Sequence, residues 1–161
     1  MIFRKATDRD TEASLAIYEA ARKFMKENGN PTQWEGEYPG RADIERDIEL
    51  GYSYVVEDCG EVVGVCHFHI GADKTYEEIE GGAWLNDDEF GVIHRIAVKE
   101  RQRGVARFIY DECFSRIPNI KIDTHEDNIP MKRSLAKAGF VYCGVIYVLN
   151  HQPRVAYQKT K

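Results

Sequence analysis

The chain reads as an α/β (α+β) protein built on a mixed β-sheet with helices on both faces. Strand-like and helix-like stretches interleave in the order β-α-α-β-β-β-α-β-α-β-β, which suits that architecture. The central apolar run 92–98 passes through a short charged loop straight into a helical pattern, with Ala106, Ile109, Tyr110 and Cys113 at i, i+3, i+4 and i+7. No linker, repeat or low-complexity tract interrupts the 161 residues, so one domain over residues 1–161 with one substantial core is expected.

The elements follow in order. Residues 1–6 form a short first strand, and Thr7 or Asp8 can cap the next helix. Ala13, Ile17, Ala20, Ala21 and Phe24 give that helix one apolar face. Asn28-Gly29-Asn30-Pro31 stops it, Gly29 suiting the left-handed position beyond a helix end. A loop with Trp34 and Tyr38 leads to a second helix over about 41–50, with Ile44 and Ile48 inward and Gly51 at its end. Strands follow at 52–57 and 62–70, around an Asp58-Cys59-Gly60-Glu61 turn. A long polar loop over 71–90 precedes a strand over 91–98. Beyond the charged loop and its helix, Pro118 breaks the pattern and 120–124 is a strand. Pro130 suits the first turn of a short helix lined by Met131, Leu135 and Ala138 and closed by Gly139. Residues 140–148 and 155–159 are the last strands, joined by a loop containing Pro153.

The bulk composition narrows the function. A net charge of −5 argues against general nucleic-acid binding. No apolar run approaches membrane-spanning length, and Arg4, Lys5, Asp8, Arg9 and Asp10 leave no signal-peptide core. Cys59, Cys66, Cys113 and Cys143 are widely spaced without a Cys-x-x-Cys, as expected of reduced thiols in a cytoplasmic protein.

The charged loop has the features of an anion site. The first turn of a helix carries unpaired N–H groups, and its dipole favours negative charge. Gly104 lets a phosphate approach the backbone, and Ala106 is the next smallest choice. Arg101, Arg103 and Arg107 oppose the dipole at that end, which a bound polyanion would explain; a basic helix start on the surface is the plainer alternative. The spacing is neither Gly-x-x-x-x-Gly-Lys-Ser/Thr nor Gly-x-Gly-x-x-Gly.

It is Arg-x-x-Gly-x-Ala, and here the chain resembles the Gcn5-related N-acetyltransferases (GNAT). Asn128-x-x-Met131 and Lys137-Ala138-Gly139-Phe140 follow in that family's order, an Asn after the fifth strand and a short helix ending in Gly-Phe. The resemblance covers nearly the whole chain. Trp84-Leu85-Asn86, Ile93-His94-Arg95 and Asp123-Thr124-His125 are similar to a bacterial subgroup.

The resemblance implies a mostly antiparallel twisted sheet whose fourth strand bulges away from the fifth, with acetyl-CoA as acyl donor in the opening. Backbone groups of Ile96, Ala97 and Val98 would bond to the pantetheine arm. Amides of Arg101, Gln102, Arg103, Gly104, Val105, Ala106 and Arg107 would hold the pyrophosphate, and Asn128 would bond near the pantetheine. The implied activity is acetyl transfer to the primary amine of a small molecule, without metal, nucleic acid or membrane, and a homodimer is compatible with it. A protein α-amine or lysine acetyltransferase and a non-catalytic acyl-CoA-binding module are the alternatives.

Acyl transfer to an amine needs a proton acceptor, a donor to the oxyanion and a leaving thiolate. Family geometry places a backbone N–H near Ile96 or Ala97 as the oxyanion donor. Asp123 and His94 are the candidate catalytic residues, at positions where family members carry a base. Otherwise Asp123 ends a strand or pairs with an arginine, and His94 packs in the core. His67 and His69 share a strand face and with His94 make a three-histidine site conceivable, ordinary packing being the alternative. The acidic stretch 73–89 would favour a cationic amine, with Trp34, Tyr38, Tyr76 and Trp84 as an apolar wall. Leu135 stands where many family members carry a tyrosine that protonates the thiolate, so the usual acid is missing.

Overall fold

A computed structural model describes residues 1–100 and 102–161. In chain order the elements are β1 (Ile2–Lys5), α1 (Thr11–Glu27), α2 (Arg41–Leu50), β2 (Ser53–Asp58), β3 (Glu61–Ile70), β4 (Gly91–Val98), α3 (Val105–Arg116), β5 (Asn119–Thr124), α4 (Ile129–Lys137), β6 (Val141–Tyr147) and β7 (Pro153–Thr160). The strands make one sheet in the order β1-β2-β3-β4-β5-β7-β6. Every neighbouring pair is antiparallel except β4 and β5, which α3 connects as a parallel crossover. This is the mixed, mostly antiparallel sheet expected, with α1 and α2 on one face and α3 and α4 on the other.

Strand alternation assigns the two faces. Val56, Val63, Phe68, Ile93, Ile120 and Ile122 pack beneath Val105, Ile109 and Tyr110 of α3 and Leu135 of α4. Val55, Val65 and Ala97 point the other way, to Ile17, Tyr18 and Ile44. Gly64 lets α3 sit close, since a Cβ there would lie 2.8 Å from Val105 Cγ1. A smaller cluster of Tyr76, Val92, Ile146 and Ala156 tucks the 71–90 segment under the sheet's second half.

The apolar face of α1 differs from expectation. Ser14, Ile17 and Tyr18 are buried with Ala21 and Met25 beside them, whereas Ala20 faces solvent and Phe24 is 48% exposed. Tyr18 turns the stripe. Its ring meets Trp34 edge-on at 5.6 Å, and its hydroxyl donates to the Arg95 carbonyl at 2.8 Å. An aromatic whose polar tip finds a partner buries well.

That carbonyl belongs to a bulge. β3 and β4 are in register at Val65↔Ala97 and again at His67↔His94, so Arg95 and Ile96 together oppose Cys66. Arg95 has φ 49°, uncommon for a side-chain-bearing residue. Its guanidinium is held by Asp47 of α2 and by the Tyr38 hydroxyl at 3.2 Å. Asp47 Oδ1 also lies 3.1 Å from His67 Nδ1, and His67 Nε2 is 2.7 Å from His69 Nδ1. Burial lowers both imidazoles below their usual range, outweighing the help His67 gets from Asp47. Burial alone would raise Asp47, but His67 and Arg95 win and hold its carboxyl below the usual range.

Two expectations follow. Leu135 is fully buried, so Leu135→Ala should cost about 2–5 kcal/mol in chemical denaturation, and a loss below about 1 would contradict its place in the core. His67 and His69 are neutral in the fold, while in the unfolded chain they bind protons near pH 6.5. Their contribution is therefore present above about pH 6.5 and is lost as pH falls toward the lowered folded values. The urea midpoint should drop between about pH 7.5 and pH 5, and less so in a His67→Gln, His69→Gln variant. An equal drop in both proteins would remove these histidines from the account.

Candidate active site

The β4–β5 ladder ends at Ile93↔Ile122. Beyond it the two strands part. Lys99 N–H donates to the Val63 carbonyl and Phe68 N–H to the Tyr52 carbonyl, each at 2.8 Å. Alternation from those two bonds leaves the peptide groups of Arg95, Ile96 and Val98 off the β3 ladder. Polar backbone freed in this way must find another partner.

A cavity of about 720 Å³ fills the opening, bounded by the 32–38 loop, the 73–75 turn, β4, β5, α4 and the segment joining β6 to β7. His94 and Asp123 meet in it, one from each parting strand. His94 Nε2 lies 2.7 Å from Asp73 Oδ2, and its Nδ1 lies 3.7 Å from Asp123 Oδ1. Asp73 Oδ1 accepts from the Thr75 amide at 3.0 Å and the Thr75 hydroxyl at 2.6 Å. Burial would raise the Asp73 carboxyl, but His94 and Thr75 overcome it and hold the group well below the usual range. Tyr76 is buried, and its hydroxyl donates to Asp123 Oδ1 at 2.5 Å. Burial, reinforced by Asp123, pushes the phenol well up, so it stays a donor. An imidazole fixed at one nitrogen by a carboxylate keeps the other free to take a proton.

Asn128 lines the same cavity and caps α4, its Oδ1 accepting from the Met131 amide at 3.2 Å and its Nδ2 donating to Gln33 Oε1 at 3.0 Å. Pro130 is thus the second residue of that helix, behind Ile129. His125 leaves the strand at Thr124, its Nδ1 accepting from the Asp127 amide at 3.0 Å, so Nε2–H faces Thr32 Oγ1 at 3.3 Å.

A second cavity of about 450 Å³ lies at the start of α3, lined by Val98, Gln102, Gly104, Ala106, Arg107, Ser134, Lys137 and Ala138. Gly104 has φ 79°, and a Cβ there would meet nothing within 4 Å, so glycine serves the backbone turn rather than relieving a clash. Arg107 is tied to Asp111 at 2.9 Å and to the Lys137 carbonyl at 3.4 Å. Of the other residues expected at the coenzyme, Ile96 lines the first cavity, Ala97 and Val105 are buried in the cores, Arg103 is exposed, and Arg101 lies outside the described residues. Off-ladder peptide groups, a helix N-terminus with room in front of it and two cations fit a phosphate-bearing acyl carrier.

The three histidine rings do assemble, with centroids 5.0, 5.4 and 6.4 Å apart. Their nitrogens bond to one another and to carboxylates. Among the described residues no group of three His, Cys, Asp or Glu side chains is arranged to hold a metal. Asp73, Gln33 and Arg154 line the cavity and Tyr76 reaches it through Asp123, each from a loop or strand edge whose path no periodicity dictates. Within the acidic stretch, Asp73-x-Thr75 was a turn signal.

No described helix is long and apolar enough to cross a membrane. No curated protein matches the sequence. The acetyltransferase (GNAT) domain family matches residues 1–141. A GNAT-family acetyltransferase from Streptococcus agalactiae 2603 is 32% identical, with a TM-score of 0.90 over 99% of this chain and 95% of that one. The ribosomal-protein-alanine N-acetyltransferase of Brucella melitensis, 19% identical, shares the fold at a TM-score of 0.63 over 100% of both chains. AAC(6')-Ib in complex with ribostamycin and coenzyme A, also 19% identical, shares it at 0.69 over 99% of this chain and 92% of that one. With its bulged β4, its parted β5 and its glycine turn into α3, the chain belongs to the GNAT acetyltransferases, enzymes that draw their acetyl group from acetyl-CoA.

Proposed function

We propose that the chain, as one domain over residues 1–161, acetylates the primary amine of a small molecule, with Asp123 anchoring the amine and His94 taking its proton. The observation that carries this reading is the Asp73–His94–Asp123–Tyr76 constellation where β4 and β5 part. A cavity of about 720 Å³ enclosed by loops from several segments supports a small acceptor over an extended peptide.

Bound acetyl-CoA supplies the activated acyl group. Peptide groups of Ile96 and Val98 and the Asn128 side chain would hold its arm, whereas Ala97, expected to share this task, is paired with Val65 of β3 and buried in the core. The turn over 101–107 would hold its phosphates, Gln102, Gly104 and Ala106 lining the groove and Arg107 lending charge. Asp123 has one oxygen occupied by Tyr76, and its Oδ2 is open to an ammonium. Asp73 keeps the His94 proton on Nε2, so Nδ1 presents its lone pair toward the docked amine. His94 then accepts the proton the amine must lose, and the Asp73 and Asp123 carboxylates stabilise the imidazolium formed. A backbone N–H near Ile96 would face the developing oxyanion.

His94→Ala and Asp123→Asn should lower kcat by about 10²–10⁴-fold while leaving acetyl-CoA affinity unchanged. Wild-type turnover in both variants across pH would place the base elsewhere. Release of the coenzyme thiol with a panel of amines separates an enzyme from an acyl-CoA-binding module. Gly104→Glu should abolish acetyl-CoA binding, because it adds negative charge where phosphate is expected and forces a side chain into φ 79°. Unchanged calorimetric affinity in a folded Gly104→Glu protein would remove the coenzyme from this turn.

A further inference from the structure

One buried cation in the acceptor cavity has no ion-pair partner among the described residues, the carboxylate it feels most being that of Asp123. Arg154 is the second residue of β7 and is only 8% exposed, yet it lines the cavity. Among the described residues its guanidinium has one hydrogen bond, from Nη1 to the Pro153 carbonyl at 2.9 Å, and no carboxylate within ion-pair distance. The other largely buried arginine at the site, Arg95, is paired with Asp47. A buried charge without a partner is costly, and native proteins rarely leave one so.

Its position relative to the catalytic pair follows from the sheet. Asp123 pairs with Ala156, and Arg154 lies two residues before Ala156 on the same face. Arg154 is therefore the diagonal neighbour of Asp123, roughly 7–8 Å away between Cα atoms. The two side chains project into one cavity, a carboxylate with an open oxygen beside a guanidinium with open N–H groups. That pairing of charges matches a molecule carrying an ammonium and a carboxylate a few bonds apart. Arginine's planar fork suits a carboxylate in particular.

We propose that Arg154 binds a carboxylate of the acceptor, so that the enzyme acts on amino acids and closely related amino-carboxylates. This rests on Asp123 and His94 receiving the amine. Arg154 touches the substrate's far end and sets specificity without taking part in proton transfer. Of the acidic residues of the 73–89 stretch, which by itself would favour a purely cationic amine, only Asp73 lines the cavity, and it is bound to His94 and Thr75.

The test uses the full chain with the twenty free L-amino acids, their amides and the corresponding decarboxylated amines. For the preferred side chain, the acid should exceed its amide in kcat/KM by about 10²-fold, the discrimination expected of charged hydrogen bonds. Arg154→Gln should bring that ratio to about 1, and Arg154→Lys should restore part of it. The Arg154→Gln protein should melt no lower than wild type, because no ion pair is lost. A structural arginine would instead lower the melting temperature and affect acid and amide alike, overturning the proposal. Calorimetry with coenzyme A present gives a reading independent of turnover: amino acids should bind to wild type and not to Arg154→Gln. If no amino acid binds, Arg154 is not a carboxylate anchor. Amines that then still turn over, and fail to in His94→Ala, would leave the acetyltransferase site standing and dismiss the anchor alone.

Discussion

The site depends on how the backbone of Arg95 is held. A left-handed conformation costs a residue with a side chain on the order of 1–2 kcal/mol, and persists where its surroundings over-determine it. Here the guanidinium is held by Asp47 and Tyr38, and the carbonyl by Tyr18. Those partners come from α2, the loop after α1, and α1 itself, so the two helices do more than cover the sheet. They clamp the bulge that sets two residues of β4 opposite one of β3. With the bulge fixed, His94 is the last residue of the regular ladder, and Ile96 to Val98 run along the gap that β5 leaves. The opening thus follows from how α1, α2 and the loop between them hold the bulge.

The cavity holds two carboxylates on one histidine, and their surroundings separate their tasks. Asp73 is saturated by Thr75 and His94, an acceptor with nothing left to offer a ligand. Asp123 receives one short bond from Tyr76 and keeps its second oxygen open. Paired groups whose environments differ in this way are how one pocket runs both anchoring and proton transfer. Arg154 sits on the same sheet face and, among the described residues, has no carboxylate within ion-pair distance, so a cation and a carboxylate border the same cavity.

Much of this was legible in the sequence, and what was not has a common cause. The strand over 91–98 and the helix that Gly104 opens are local features: apolar periodicity and one glycine lie within a few residues, and a groove lies at the start of that helix. His94 and Asp123 stand out through the family resemblance, at positions where members carry a base, and the parting strands that bear them bring the two into one cavity. Asp73 and Tyr76 were taken for parts of an acidic rim and an apolar wall, because loop composition does not say which side chains turn inward. Arg154 stood at the edge of a strand expected to begin at Val155, and the strand begins at Pro153. The α1 stripe was misjudged because Phe24 outranks Tyr18 in apolarity, while Tyr18 finds a carbonyl to bond and Phe24 has no such site.

The missing phenol of α4 shows the same division between local pattern and tertiary placement. Leu135 is committed to the core beneath α3, while Met131, Ser134 and Ala138 reach the cavities. A tyrosine at Leu135 would combine packing and a donor in one side chain. Tyr110 of α3 lies under α4 with its hydroxyl 3.3 Å from Ser134 Oγ and 3.4 Å from Met131 Sδ. Burial pushes that phenol up to about 12, so it remains a protonated donor at any physiological pH. Leu135 fills the space a ring would have occupied, and Tyr110 presents a hydroxyl from the neighbouring helix. Ser134 stands between it and the groove along Val98 and Gly104. Ser134 of α4 thus links the Tyr110 hydroxyl to the lining of that groove.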